Sequence, residues 1–527
     1  MQITTLFPNL SYPNLQKCKD YKEATVYYTH LSFFLGQALI ECHKNWYKGG
    51  YLHIFSKFKK AKKHFLYLNH LKQKYSPYLI ADLFNTFTIE DTKRFFALVE
   101  KWAHYEALSK TLIKNAQFVI EHFENVNSWL ESKEFEHTYQ KQFFAYPPLL
   151  NPQTLENIKE KLHYKNIPTN LAWDLNLPLP KALCICIGFS FSGHWAFTRM
   201  LNKCKITNSG DHKGIDAKWH YETNYKLALE NKNHCYNIFL YTHNLNPVKA
   251  LHKFICMLRN DHTVICLTRD PFSRIKSGLN NQWKIKNCND HFNTNTALYE
   301  FLLQRTHFWL SHPSLPLNTR IEKLIKWHLF CLNTILDLLC NLEFSNFLFI
   351  DTKELEYPKV DTTMQKIASK LDVKLPKDTN AFNISFPSTY YGTLPAVFTS
   401  NDICIYIEST PRLYTLNAML NINTTLLPKE IYFNTEEKNL HLLECNQQIL
   451  KEIKEKLCEF TQTLFQFYND TKTNEKELLN QLQEKKELSL ELGELLKKEF
   501  EILSRFRPDI INSWRYYQEF LKNLKEY

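Results

Sequence analysis

The stretch Leu183-Cys-Ile-Cys-Ile-Gly-Phe-Ser-Phe-Ser-Gly-His-Trp-Ala-Phe-Thr-Arg-Met-Leu-Asn202 decides the fold. Its apolar run, Leu183 to Ile187, is too short for a helix core. It meets a Gly/Ser turn from Gly188 to Gly193, after which Trp195 to Leu201 reads as a helix start. A strand, loop and helix in that order aim several backbone N–H groups and the positive end of a helix dipole at one point, which suits a phosphate or sulfate. The spacing of Gly188 and Gly193 matches the phosphate loop G-x-x-x-x-G, but His194 and Trp195 stand where a nucleotide hydrolase has Lys and Ser/Thr. The lysine ammonium and the metal-binding hydroxyl are both gone, which argues against Mg-ATP chemistry.

Downstream, the pattern of a short apolar run ending in a polar cluster repeats. Ile238 to Tyr241 ends in Thr242-His243-Asn244, and Thr263 to Leu267 delivers Thr268-Arg269-Asp270-Pro271. Helices are expected at Pro247–Leu258 and Phe272–Asn281, with a polar loop over a site between Asn208 and Asn237. Beyond these come a long helix from Ile321 to Leu342, a strand at Phe347–Ile350 and a helix from Thr362 to Leu371. Strands alternating with helices imply an α/β protein with a parallel, P-loop-like sheet whose ligand edge is the carboxyl end of the strands. The region 379–434 reads as loop-rich with one strand candidate at Ile403–Ile407, and the chain from Glu436 onward reads as helical with Glu/Lys pairs. The expected divisions are a helical basic and aromatic region at 1–145, a Pro-rich linker at 146–174, the α/β core at 175–430 and a helical region at 431–527.

The chain of 527 residues is 44% hydrophobic and 23% charged, which implies globular rather than disordered structure. No apolar run is long enough to span a membrane, and Met1 to Pro8 has no signal-peptide pattern. Fourteen cysteines lie outside C-x-x-C pairs, several within apolar strands, so they read as reduced core residues and the expected location is cytoplasmic. A formal net charge of +11 points to an acidic partner: a nucleotide donor, an anionic glycan or a membrane surface. Nucleic acid fits the charge too, but no motif calls for it. Between Cys42 and Ala81 there is no Asp or Glu, and nine lysines alternate with Trp46, Tyr47, Phe55, Phe58 and Phe65. Such a face suits the inner surface of an anionic membrane or a phosphorylated substrate, or is a solvated helix face with its aromatics inward.

Taken in order, these motifs resemble the sulfotransferases that use 3′-phosphoadenosine 5′-phosphosulfate. Those enzymes show a P-K-S-G-T-T-W loop, a K-T-H after the next strand, and an R-D-P with a serine eight residues past the arginine. Here the order is Ser190-Phe-Ser-Gly-His-Trp-Ala196, Tyr241-Thr-His243, and Arg269-Asp-Pro271 with Ser277. Phe347 to Leu355 and Met364 to Leu371 are similar to the strand end and helix that follow in the family. The resemblance implies that Ser190, Ser192, Gly193, His194 and Trp195 hold the donor's 5′-phosphosulfate, that Arg269 and Ser277 hold a 3′-phosphate, and that His243 is the general base toward an acceptor hydroxyl. It implies no metal. Phe191 and Tyr241 depart from the pattern by replacing two lysines, and the family's C-terminal R-K-G segment is missing. Arg199, Lys249, Arg274 and Lys276 are near enough in sequence to be considered as substitute cations.

The core also resembles an uncharacterised epsilonproteobacterial capsule-locus family linked to phosphoramidate decoration of sugars. That resemblance implies a cytidine diphosphate donor, with His194 as a nucleophile or positioning group. Two enzyme readings therefore stand, each with a surface carbohydrate as acceptor. A third is a catalytically inactive glycan-binding or scaffold protein at the membrane surface.

Overall fold

The computed structural model describes residues 18–209, 217–240, 248–308, 312–326, 329–378, 380–384, 393–400, 402–425, 427 and 430–525. The chain divides into two compact units, 1–178 and 179–527.

The first unit is helical. Its longer helices are α1 (Leu31–Lys44), α2 (Ile54–Lys74), α3 (Pro77–Thr86) and α4 (Ile89–Lys101). Pro77 opens α3 at a position where its missing N–H costs nothing, and Thr88 caps α4 by accepting from Asp91 N. Phe95, Phe96, Leu98 and Val99 face inward from α4, with Leu68, Leu71, Ile80, Leu108 and Leu112 in the same interior. The Pro-rich stretch expected to be a linker belongs to this unit. Leu149, Leu150 and Leu155 are buried, and Trp129 Nε1 donates to Pro148 O at 2.9 Å.

The second unit is α/β. Its five-stranded parallel sheet comprises β1 (Cys184–Phe189), β2 (Thr207–Asn208), β3 (His234–Leu240), β4 (Val264–Thr268) and β5 (Phe347–Asp351), in the spatial order β2-β3-β1-β4-β5. Every residue of β1 and β4 is buried, so both faces are covered, as continuous apolar runs require. One face holds Cys184 and Cys186 of β1, Cys235 of β3, Ile265 of β4 and Ile350 of β5. Packed on it are Phe197, Met200 and Leu201 of α5 (His194–Lys203), together with Met364 and Ile367 of a later helix, Lys359–Leu371. The fourteen cysteines are free thiols.

Between these elements lie α6 (Ala217–Glu230), α7 (Val248–Cys256) and α8 (Pro271–Leu279), followed by α9 (Leu317–Lys326) and α10 (Leu332–Asn341). Two expectations change here. The stretch read as a polar loop contains α6 and most of β3, because Ala217, Tyr221, Asn224 and Tyr225 form a narrow inward stripe on an otherwise polar helix. The long helix from Ile321 to Leu342 is two helices, α9 and α10.

A second sheet of four strands contains the strand expected at Ile403–Ile407, which runs Ile403–Glu408, between Ala396–Ser400 and Tyr432–Asn434, with His291–Phe292 at its edge. Alternate burial along Ile403–Glu408 is the period of a sheet with one face covered. What covers it includes α11 (Gln447–Thr471), whose Ile453, Leu457, Phe460, Leu464 and Phe467 recur at helical spacing in the same core. The C-terminal helices α12 (Glu475–Gln483), α13 (Lys486–Glu499) and α14 (Arg515–Leu524) belong to this unit too. No described helix is long and apolar enough to cross a membrane.

Candidate functional site

The loop from Ser190 to Gly193 leaves β1 at the carboxyl edge of the sheet and turns directly into α5. Two residues take left-handed backbone, Phe191 with φ 63° and Gly193 with φ 78°. A glycine meets the second at no steric cost, and a Cβ there would also lie 3.0 Å from Thr352 Cγ2. Ser192 closes the turn on itself: its N and its Oγ both donate to Phe189 O, at 3.1 and 2.8 Å, and Oγ accepts from Phe189 N at 3.1 Å.

Three successive loop carbonyls are each held by a different side chain. Arg274 Nη2 donates to Ser190 O at 3.3 Å, Arg269 Nη1 to Phe191 O at 2.9 Å, and Thr352 Oγ1 lies 3.0 Å from Ser192 O and 2.9 Å from Thr268 O. A trans peptide points its N–H opposite its C=O. Anchoring Ser190 O and Ser192 O therefore turns the N–H groups of Phe191 and Gly193 the other way. No side chain caps the start of α5, so its first-turn N–H groups are donors of the kind that bind an anion.

The cations behind the loop differ in burial. Arg274 is almost wholly buried; it also donates to Leu329 O at 2.6 Å and stands 3.7 Å from Glu499 of α13. Arg269, half-buried after β4, has its pKa lowered by burial, while Glu356, Glu475, Asp351 and Asp270 oppose that shift. Lys276 pairs with Glu475 at 2.6 Å, and Ser273 Oγ donates to the same carboxylate at 3.0 Å. Arg199 stacks over the Trp195 ring, its guanidinium 3.6 Å from the ring centre. The side chain of Lys249 is outside those described. Arg269 and Arg274 thus both touch the loop, and Arg269 is the less buried of the two.

The site residues read from sequence fall into distinct places. Ser190, Ser192 and Gly193 form the loop, and Arg269 reaches it. His194 turns inward, its ring so close to Gly188 that a Cβ there would sit 1.8 Å from Nδ1. Its Nδ1 is 3.8 Å from Cys186 Sγ, and burial lowers its pKa to about 4, so the ring is neutral at physiological pH. This placement suits a wedge that seats α5 on β1. Trp195 is 39% exposed, so its ring does not seal the helix against the sheet. Ser277 is half-buried on α8, and no hydrogen bond joins it to Arg269 among the described residues. His243, with Tyr241 and Thr242, lies outside the described residues.

Thr352 and Glu499 are participants that sequence reading did not assign, while Arg274 is one of the four candidate substitute cations and does reach the loop. Thr352 carries a faint signal, since it directly follows a strand ending at the same edge. Glu499 carries none, because it comes from a distant Glu/Lys-rich helix.

Residues 349–527 match the model of a family described as a protein of unknown function (DUF2972), and residues 3–67 match that of a domain of unknown function (DUF8374). No curated protein and no solved structure matches the chain.

Proposed function

We propose that the second unit is a group transferase with a sulfotransferase-like core, moving a sulfuryl-like group from a nucleotide donor to a hydroxyl of a surface carbohydrate. The observation that carries this reading is the meeting of Arg269 with the loop after β1. Two motif pieces far apart in sequence come together at the carboxyl edge of a parallel sheet, where ligands of such sheets bind. The first-turn N–H groups of α5 would hold the donor's phosphate and the developing charge on the leaving oxygen, and Arg269 would add a cation. His243 would take the acceptor hydroxyl's proton as the acceptor oxygen bonds to sulfur and the sulfur–phosphate oxygen bond breaks. The proposal gives His194 a positioning role.

A second reading keeps the fold and takes a cytidine diphosphate donor. It is favoured by Phe191 and Tyr241 in place of two lysines. Thermal unfolding of the full chain with adenosine 3′,5′-bisphosphate, CMP or CDP separates the two. A ligand at about a hundred times its Kd adds about 2.7 kcal/mol to stability. Stabilisation by the bisphosphate, reduced in Ser277→Ala and Arg269→Ala, is the expected result. Stabilisation by the cytidine nucleotides alone would replace this donor by the other. Silence from all three would leave a binding or scaffold protein.

A further inference from the structure

The connection between α1 and α2 is rigidly built yet presents its large apolar side chains to solvent. It consists of two tight turns, Trp46–Lys48 and Gly50–His53, joined at Gly49 in left-handed backbone with φ 75°. Gly50 is pressed so closely on Cys42 that a Cβ would lie 2.4 Å from its carbonyl oxygen. The shape of the turn is therefore fixed, and it exposes Trp46 at 66%, Tyr47 at 65%, Leu52 at 85% and Phe55 at 84%. Along α2 the stripe continues as Phe55, Lys59, Lys62 and Leu66, spaced to fall on one helix face, with Lys63 beside it and all of them exposed. Lys44 and Lys48 are exposed at the turn itself. The nearby acid Glu41 is taken by Lys57 at 3.0 Å, and no Asp or Glu occurs from Cys42 to Ala81.

We infer that this tip docks on the surface of an anionic lipid bilayer, independently of the reading of the loop. Trp46, Tyr47 and Tyr51 have apolar rings with polar edges suited to the headgroup level, and Leu52 and Phe55 reach into the acyl boundary. Lys44, Lys48, Lys59, Lys62 and Lys63 meet the lipid phosphates and carboxylates. A nucleic acid would use the lysines and the rings but would leave the exposed aliphatic Leu52 and Leu66 without a partner.

The test is co-sedimentation of the full chain with phosphatidylcholine vesicles, with and without phosphatidylserine, at low and high salt. Binding is expected with phosphatidylserine, weakened by salt. The triple variant Lys59→Gln, Lys62→Gln, Lys63→Gln should lower affinity about a hundredfold, since each lysine at the surface contributes roughly fivefold. The double variant Leu52→Ser, Phe55→Ser should also release the protein. Because these side chains are exposed, both variants should keep the wild-type melting temperature. Equal binding to the neutral vesicles, absence of binding to either, or unchanged binding by both variants would overturn the inference. So would a loss of self-association by the double variant without any vesicle binding, which would assign the tip to a second copy of the chain. Binding of a single-stranded oligonucleotide that the double variant retains and the triple variant loses, without vesicle binding, would assign it to nucleic acid.

Discussion

Glu499 sits wholly inside the protein, accepting from Leu332 N at 3.0 Å and Asn333 N at 3.3 Å, where its negative charge complements the start of α10. Burial nevertheless pushes its carboxyl up to about 7, with Arg274 and those N–H groups opposing the shift. A carboxyl raised above its unfolded value lends stability that is fully present below about pH 4.5 and is lost as pH rises through about 7. Glu499→Gln removes that dependence. The variant's melting temperature should therefore rise relative to wild type by several degrees between pH 5 and pH 8, a change on the order of 3 kcal/mol. Parallel melting curves across that range would remove Glu499 as the titrating group. Gly188 makes a second point at this scale. Since a Cβ there would collide with the His194 ring, Gly188→Ala should cost about 3 kcal/mol or more by forcing α5 off β1, read as a lower midpoint in urea.

Loop and strands together show which parts of the structure a sequence carries on its surface. The strands β1, β4 and β5 were legible because each is a short apolar run ended by polar residues. Helix α6 was not, because its inward stripe is narrow and includes Asn224. At the site, Ser190 to Gly193 and Arg269 stood out through the order of motifs. Arg274 stood only among four possible cations without a place, and Thr352 did not stand out, because their partners are backbone carbonyls, and every residue has one. Thr352 tests that difference directly. Thr352→Val loses the hydroxyl that bridges Ser192 O and Thr268 O and should cost about 1–3 kcal/mol, while Thr352→Ser should retain most of the stability. If the proposed donor site is correct, nucleotide stabilisation should fall in the valine variant and survive in the serine variant.

The second unit extends well beyond the 349–527 stretch that matches a family of unknown function. That boundary cuts into β5, whose ladder partner β4 lies outside it, and it separates Glu499 from Arg274 and Glu475 from Lys276. Trp514 Nε1 donates to Asp351 Oδ2 at 2.6 Å, and Phe520 packs on Phe272 with ring centres 5.0 Å apart. A fragment of residues 349–527 should accordingly show no cooperative unfolding transition, whereas 179–527 should melt as a unit. The hold of Glu499 on Arg274 also sets an order of events during synthesis. On a ribosome the loop, its arginines and Thr352 emerge early, and Arg274 waits without its carboxylate until α13 follows. A nascent chain halted before that helix would carry the sequence of the loop after β1 in full but with one of its anchors still missing its counter-charge. The loop's anchoring would be completed only once α13 has been made.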